Sequence, residues 1–265
     1  MIPILLAAAV AAQPAPRVQL DLVGRTVDGG VELGLRYRIA EGWHIYWENP
    51  GDSGMATTAS IQGAGWTAGP LRFPGPTTFT NDGLVTYGYE DEVVLVARLD
   101  GAGGPITVSS TVLVCREICE PETATATLDP AALPVGADVI AAAVEALPTP
   151  ARPDDAAVSW DGDELSIRTV AERAELFPSE ALDLATGSER SRFVPDPGVP
   201  SRDREEIVKP SEPLLLSVRV RTQFAGETLL AVLRLVRNGV VRDVILELRR
   251  PDGPPAPAPA RRDDE

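Results

Sequence analysis

Ile106-Thr-Val-Ser-Ser-Thr-Val-Leu-Val-Cys115, Arg116-Glu-Ile118 and Cys119-Glu-Pro-Glu-Thr-Ala-Thr-Ala-Thr-Leu128 form one continuous stretch. Its first part is β-branched and alternating, which favours a strand with one buried face. The run Thr123 to Leu128 alternates again. Between them three residues separate two cysteines. Fully extended, that chain would hold the two Cα atoms more than about 10 Å apart, whereas a disulfide needs them at roughly 5–6 Å. A tight hairpin with a three-residue loop removes the conflict, because it sets Cys115 and Cys119 opposite each other on neighbouring strands.

Working outward, the same period of two recurs. Val18-Gln-Leu-Asp-Leu-Val alternates, and Val31, Leu33, Leu35, Tyr37 and Ile39 share one face of a second run. Val93-Val-Leu-Val-Ala-Arg-Leu is apolar enough for a central strand. Gly, Pro, Asn and Asp clusters punctuate these runs, as in a β-sandwich. A helix is expected at Asp138 to Leu147, where alanines are dense. Pro148-Thr-Pro-Ala-Arg-Pro-Asp-Asp reads as a linker, set at 148–157. Strands then resume at Glu164, Leu214, Leu229 and Val240, and Asn238-Gly239 is a strong two-residue hairpin turn signal. The expectation is an all-β protein with few short helices. It has one β-sandwich over 17–147, a second β-rich unit over 158–250, and a disordered Pro/Ala-rich, charged tail over 251–265.

Composition narrows the function. The chain has 265 residues, 44% of them hydrophobic, with 25 prolines and 23 glycines, which suits many turns and short strands. A formal net charge of -15 argues against nucleic acid and anionic lipid as partners. Residues 1–12 form an apolar run ending in small residues, read as a signal peptide cleaved before Gln13, which points to a periplasmic location. No later segment reaches the roughly 20 apolar residues of a transmembrane helix. The second half has neither Cys nor His, so redox or metal chemistry is confined to the first.

The cysteine pair leaves three readings open. A ring this short removes roughly 2 kcal/mol of unfolded-state entropy, a small return for a structural staple. A hairpin tip also exposes the sulfurs to a partner thiol, so redox exchange is the first reading. The second is a non-catalytic binding or scaffold protein with a structural disulfide. The third is a copper-handling protein using both thiolates with His44. Arg116 would stabilise a thiolate, whereas Glu117, Glu120 and Glu122 would oppose it.

Three motifs then carry a resemblance. Gly42-Trp-His-Ile-Tyr-Trp-Glu-Asn-Pro-Gly-Asp-Ser-Gly54, Thr86-Tyr-Gly-Tyr-Glu90 and Val112-Leu-Val-Cys-Arg-Glu-Ile-Cys-Glu-Pro121 resemble, in order and spacing, the N-terminal periplasmic region of the DsbD/ScsB family of protein-disulfide reductases. Ala174-Glu-Leu-Phe-Pro178 extends the likeness into the second half. The resemblance implies an immunoglobulin-like β-sandwich, carrying Cys115 and Cys119 as the catalytic dithiol–disulfide pair. It implies transient mixed disulfides with periplasmic redox proteins, either a membrane electron carrier or a thioredoxin-like protein, and no cofactor. The family's full-length members add a membrane domain and a thioredoxin-like domain. This sequence carries neither, so it is expected to work with separate proteins.

Around the pair, Trp43, His44, Tyr46 and Trp47 are dense for a chain with 5% aromatics. With Tyr87 and Tyr89 they either wall the sulfurs or pack the core at a strand end. His44, the only histidine, is expected to be structural. Asn49 to Gly54 is turn chemistry first, with Asp52 a candidate proton acceptor for a thiol.

Overall fold

The computed structural model describes residues 15–162, 164–179, 194–195, 212–219 and 228–249. The expected signal peptide and charged tail lie outside them. Ten strands make up the first unit: β1 (Val18–Val27), β2 (Gly30–Ile39), β3 (His44–Gly51), β4 (Thr58–Gln62), β5 (Trp66–Ala68), β6 (Thr77–Asn81), β7 (Leu84–Glu90), β8 (Glu92–Gly101), β9 (Ile106–Cys115) and β10 (Cys119–Leu128). They form two sheets, ordered β1-β2-β8-β5 and β10-β9-β3-β7-β6, with β4 also paired to β9. Alternation decides the core. Leu33, Leu35 and Tyr37 of β2 and Leu95, Ala97 and Leu99 of β8 meet Ile45, Trp47, Ile106, Val108, Val112 and Val114 of the facing sheet. The Tyr37 hydroxyl, carried into this core, is satisfied by Ser110 Oγ at 2.7 Å. With so little polarity around it, its pKa is pushed up to about 12, chiefly by burial.

The expected helix is present as α1 (Ala137–Glu145), with Asp138 in its first turn. It covers the outer face of the β1-β2-β8 sheet, where fully buried Ile140 packs on Val23, Val96 and Leu147.

The second unit contains β11 (Thr149–Pro150), β12 (Ala157–Asp161), β13 (Glu164–Ala171), β14 (Arg173–Pro178), β15 (Val194–Pro195), β16 (Glu212–Arg219), β17 (Thr228–Arg237) and β18 (Val240–Arg249). Its sheets run β11-β18-β17-β14 and β12-β13-β16-β15. Asn238 and Gly239 both take positive φ, 51° and 72°, between paired Arg237 and Val240, the two-residue turn that the sequence specified. The expected linker is itself bonded to this unit: Thr149–Pro150 pairs in parallel with Val244 and Ile245. Asp155, within the same stretch, is buried, with its carboxylate on Arg237 and Arg242.

The two units share apolar contact. Phe177 and Val232 of the second unit belong to the core of the first. Phe177 is fully buried, edge-on to Trp47 and Tyr87 at centroid distances of 6.4 and 5.5 Å.

Candidate functional site

The β9–β10 hairpin closes with Cys119 directly opposite Cys115, the Cα atoms 4.1 Å apart and the sulfurs joined in a disulfide. The Arg116-Glu-Ile118 loop is exposed, and Ile118 is 69% exposed although it is a large apolar residue. The two sulfurs are not equivalent. Cys115 is 2% exposed, sealed by the strands on either side of β9, whereas Cys119 starts an edge strand and is exposed.

β3 supplies the surroundings of Cys115. Its alternation sends Ile45 and Trp47 into the core and places His44 and Tyr46 on the other face. His44 is the cross-strand partner of Cys115. The Tyr46 hydroxyl donates to Cys115 Sγ at 3.2 Å and lies 3.8 Å from Cys119 Sγ. Burial raises the Tyr46 pKa, which keeps the phenol a proton donor into alkaline solution. Two features fix the ring. Thr57 Oγ1 donates to the Tyr46 carbonyl at 2.6 Å, and Gly54, at φ 106°, lies so close that a Cβ there would sit 2.3 Å from Tyr46 Cε1. Only glycine combines that φ with that approach.

The His44 imidazole stacks on Phe79 of β6 at 4.6 Å and 17°, and meets Tyr46 edge-on at 5.3 Å. Desolvation lowers its pKa, with Glu90 opposing more weakly, so the ring is favoured in its neutral form.

The other sequence candidates separate into groups. Trp47, Tyr87 and Tyr89 are buried: Trp47 and Tyr87 pack with Phe177, and the Tyr89 hydroxyl donates to the Pro74 carbonyl at 2.7 Å. Trp43 is half-buried under the Arg17 guanidinium, 4.5 Å from its ring centroid. The Asp52 carboxylate accepts from the Val85 N–H at 2.9 Å, and its own N–H donates to the Val85 carbonyl. Arg116 lies over Gly42, about which a Cβ would be 3.9 Å from the guanidinium, and Glu117 is exposed. Sequence reading missed Phe79, Gly54 as the seat of Tyr46, and Arg234, while Phe177 lay in the quoted Ala174–Pro178 motif without a role assigned to it. Gly54 lay within a quoted motif, but its role needs a positive φ that composition does not display.

An all-β, immunoglobulin-like sandwich with a disulfide-bonded pair across a hairpin mouth defines the class of domain. Within that class, residues 10–130 match the model of the family described as Thiol:disulfide interchange protein DsbD, N-terminal. The N-terminal periplasmic domain of ScsB from Proteus mirabilis has the same fold over both units, with a TM-score of 0.63 at 18% identity, covering 91% of this chain and 97% of that one. The reduced DsbD N-terminal domain of Neisseria meningitidis aligns at 19% identity and a TM-score of 0.30, covering 42% of this chain and 84% of that one. The same domain in complex with the PilB N-terminal domain aligns at 17% and 0.31, covering 48% and 93%. No curated protein matches the sequence. Among the described residues no helix is long and apolar enough to cross a membrane.

Proposed function

We propose that the chain performs thiol–disulfide exchange in the periplasm through Cys115 and Cys119, as a relay or reductase module for other redox proteins. The observation that carries this reading is the asymmetry of the pair: one exposed sulfur, and one buried sulfur facing a hydroxyl donor. A partner thiolate attacks Cys119 Sγ. The Cys115–Cys119 bond breaks, and Cys115 leaves as a thiolate that receives the Tyr46 hydrogen bond. The partner's second thiolate then attacks its own sulfur in the mixed disulfide and releases Cys119. Two electrons pass from the partner dithiol to this pair, and the partner ends as a disulfide. Run in reverse, the reduced pair reduces a substrate disulfide, with Cys119 attacking and Cys115 resolving.

Partners of this chemistry are a thioredoxin-like protein or a membrane electron carrier with its own dithiol. The match of residues 10–130 to that family's model and the periplasmic origin of the ScsB domain support this setting. The test uses single-cysteine variants in periplasmic extract. Cys115→Ser, which keeps the exposed sulfur, traps reducible covalent adducts. Cys119→Ser, which keeps the buried one, traps far fewer. Equal trapping would refute the assignment of roles. No trapping by either, with a wild-type disulfide that resists dithiothreitol, would make the bridge structural.

A further inference from the structure

Arg234 and Asp243, on the neighbouring strands β17 and β18, form a two-bonded ion pair with both contacts at 2.8 Å. Their side chains are only 19% and 10% exposed. The pair faces the first unit. Arg234 Nη1 donates to the Pro76 carbonyl at 2.7 Å, and the guanidinium lies over the Phe177 ring at 5.3 Å. Gly75 is pressed against the pair so closely that a Cβ there would fall 1.9 Å from Asp243 Oδ2. One residue earlier, the Pro74 carbonyl accepts from Tyr89. Pro74-Gly75-Pro76 is therefore held on both sides, and β6 begins at the next residue. Among the described residues β6 ends its sheet, pairing only with β7, and it carries Phe79 to the face of His44. His44 neighbours Cys115 across the strands and meets the ring of Tyr46, whose hydroxyl sits on Cys115 Sγ.

We propose that the Arg234–Asp243 pair of the second unit is a positioning device for the redox pair: it anchors Pro74-Gly75-Pro76 and so holds the Phe79–His44 stack over buried Cys115. An edge strand with one neighbour is among the first parts of a sheet to open locally. A guanidinium that bonds the carbonyl just before it removes that freedom, and the carboxylate fixes the guanidinium. The second unit thereby acts on the cysteine site without supplying a sulfur. This inference rests on the exchange reading for its meaning, but its test does not require exchange to occur.

The measurement is the alkylation rate of Cys115 by iodoacetamide in full-length Cys119→Ser, followed against pH to its alkaline plateau. At the plateau the thiol is fully ionised, so the rate reports access rather than acidity. Adding Arg234→Ala raises the plateau rate roughly threefold or more, as expected when a local opening becomes easier. Arg234→Lys, which still reaches the Pro76 carbonyl, restores part of the protection. Gly75→Ala displaces the ion pair from the other side of the contact and raises the rate likewise, which covers the case in which Arg234→Ala fails to fold. Asp155→Ala is the control, because it weakens the second unit through Arg237 and Arg242, away from Pro76. Its plateau rate stays at the parent value. An unchanged rate in folded Arg234→Ala and Gly75→Ala overturns the proposal, as does an equal rise in Asp155→Ala. Reduction of the wild-type disulfide by dithiothreitol, run alongside, tests exchange separately.

Discussion

Replacing Tyr46 by Phe removes one oxygen and leaves the ring to pack against Gly54 and His44. In the oxidised protein that oxygen meets a disulfide sulfur, a weak acceptor. After reduction it meets the Cys115 thiolate, and a hydrogen bond to a charged group is worth about 1.5 kcal/mol. Loss of that difference disfavours the reduced state by roughly tenfold, or about 30 mV for a two-electron couple, and makes the potential more negative. Only about half the thiolate charge has developed on the leaving sulfur at the transition state. The rate of reduction therefore falls by about threefold rather than tenfold. Both quantities are read from one experiment, in which oxidised Tyr46→Phe and wild type are equilibrated with dithiothreitol redox buffers in alkaline solution and the approach is timed. The raised pKa of Tyr46 keeps the wild-type donor protonated there. A folded Tyr46→Phe with an unchanged potential and an unchanged or faster rate would refute the role given to the hydroxyl.

Three further outcomes follow from the same geometry. The double variant Cys115→Ser/Cys119→Ser remains folded and loses only about 2 kcal/mol in urea unfolding, the loop-closure value for so short a ring; loss of folding would favour a structural bridge. Phe177→Ala opens a cavity between Trp47 and Tyr87 and costs about 3–5 kcal/mol, with the urea midpoint of the first unit falling as well as that of the second; a loss confined to the second unit would contradict the shared core. Because burial depresses the His44 pKa below 6.5, the unfolded chain binds its proton first, so stability is lost as pH falls from 6.5 through the folded value. His44→Phe keeps a ring to stack on Phe79 but lacks that part of the acid slope, which urea midpoints across the same pH range would reveal.

The legibility of the fold and the site differs for physical reasons. Strands announce themselves through a period of two, so Val31 to Ile39, Ile106 to Cys115 and the Asn238-Gly239 hairpin could be read along the chain. The helix near Ala137 was equally local. Strand β3 was harder, because it combines His44 and Tyr46 with Trp47-Glu-Asn-Pro50, where the pairing with β7 shifts between Tyr46 and Gly51. A bulge of that kind sends Asn49 to the Pro178 carbonyl in the other unit at 2.7 Å, which no periodicity signals.

By itself the sequence determined the strand alternation, the two β-rich units, the hairpin that brings Cys115 to Cys119 and the kinship of the three motifs. All of these depend on neighbours within a few residues, or on words short enough to be quoted. Tertiary structure alone decided which sulfur is buried, which hydroxyl reaches it, and that Trp47 and Tyr87 pack the core whereas His44 and Tyr46 lie beside Cys115. It also decided that Arg234 grips Pro76 across 158 positions of sequence. Burial and long-range hydrogen bonds are properties of how sheets stack, and the packing of one face against another is not encoded in the spacing along either strand.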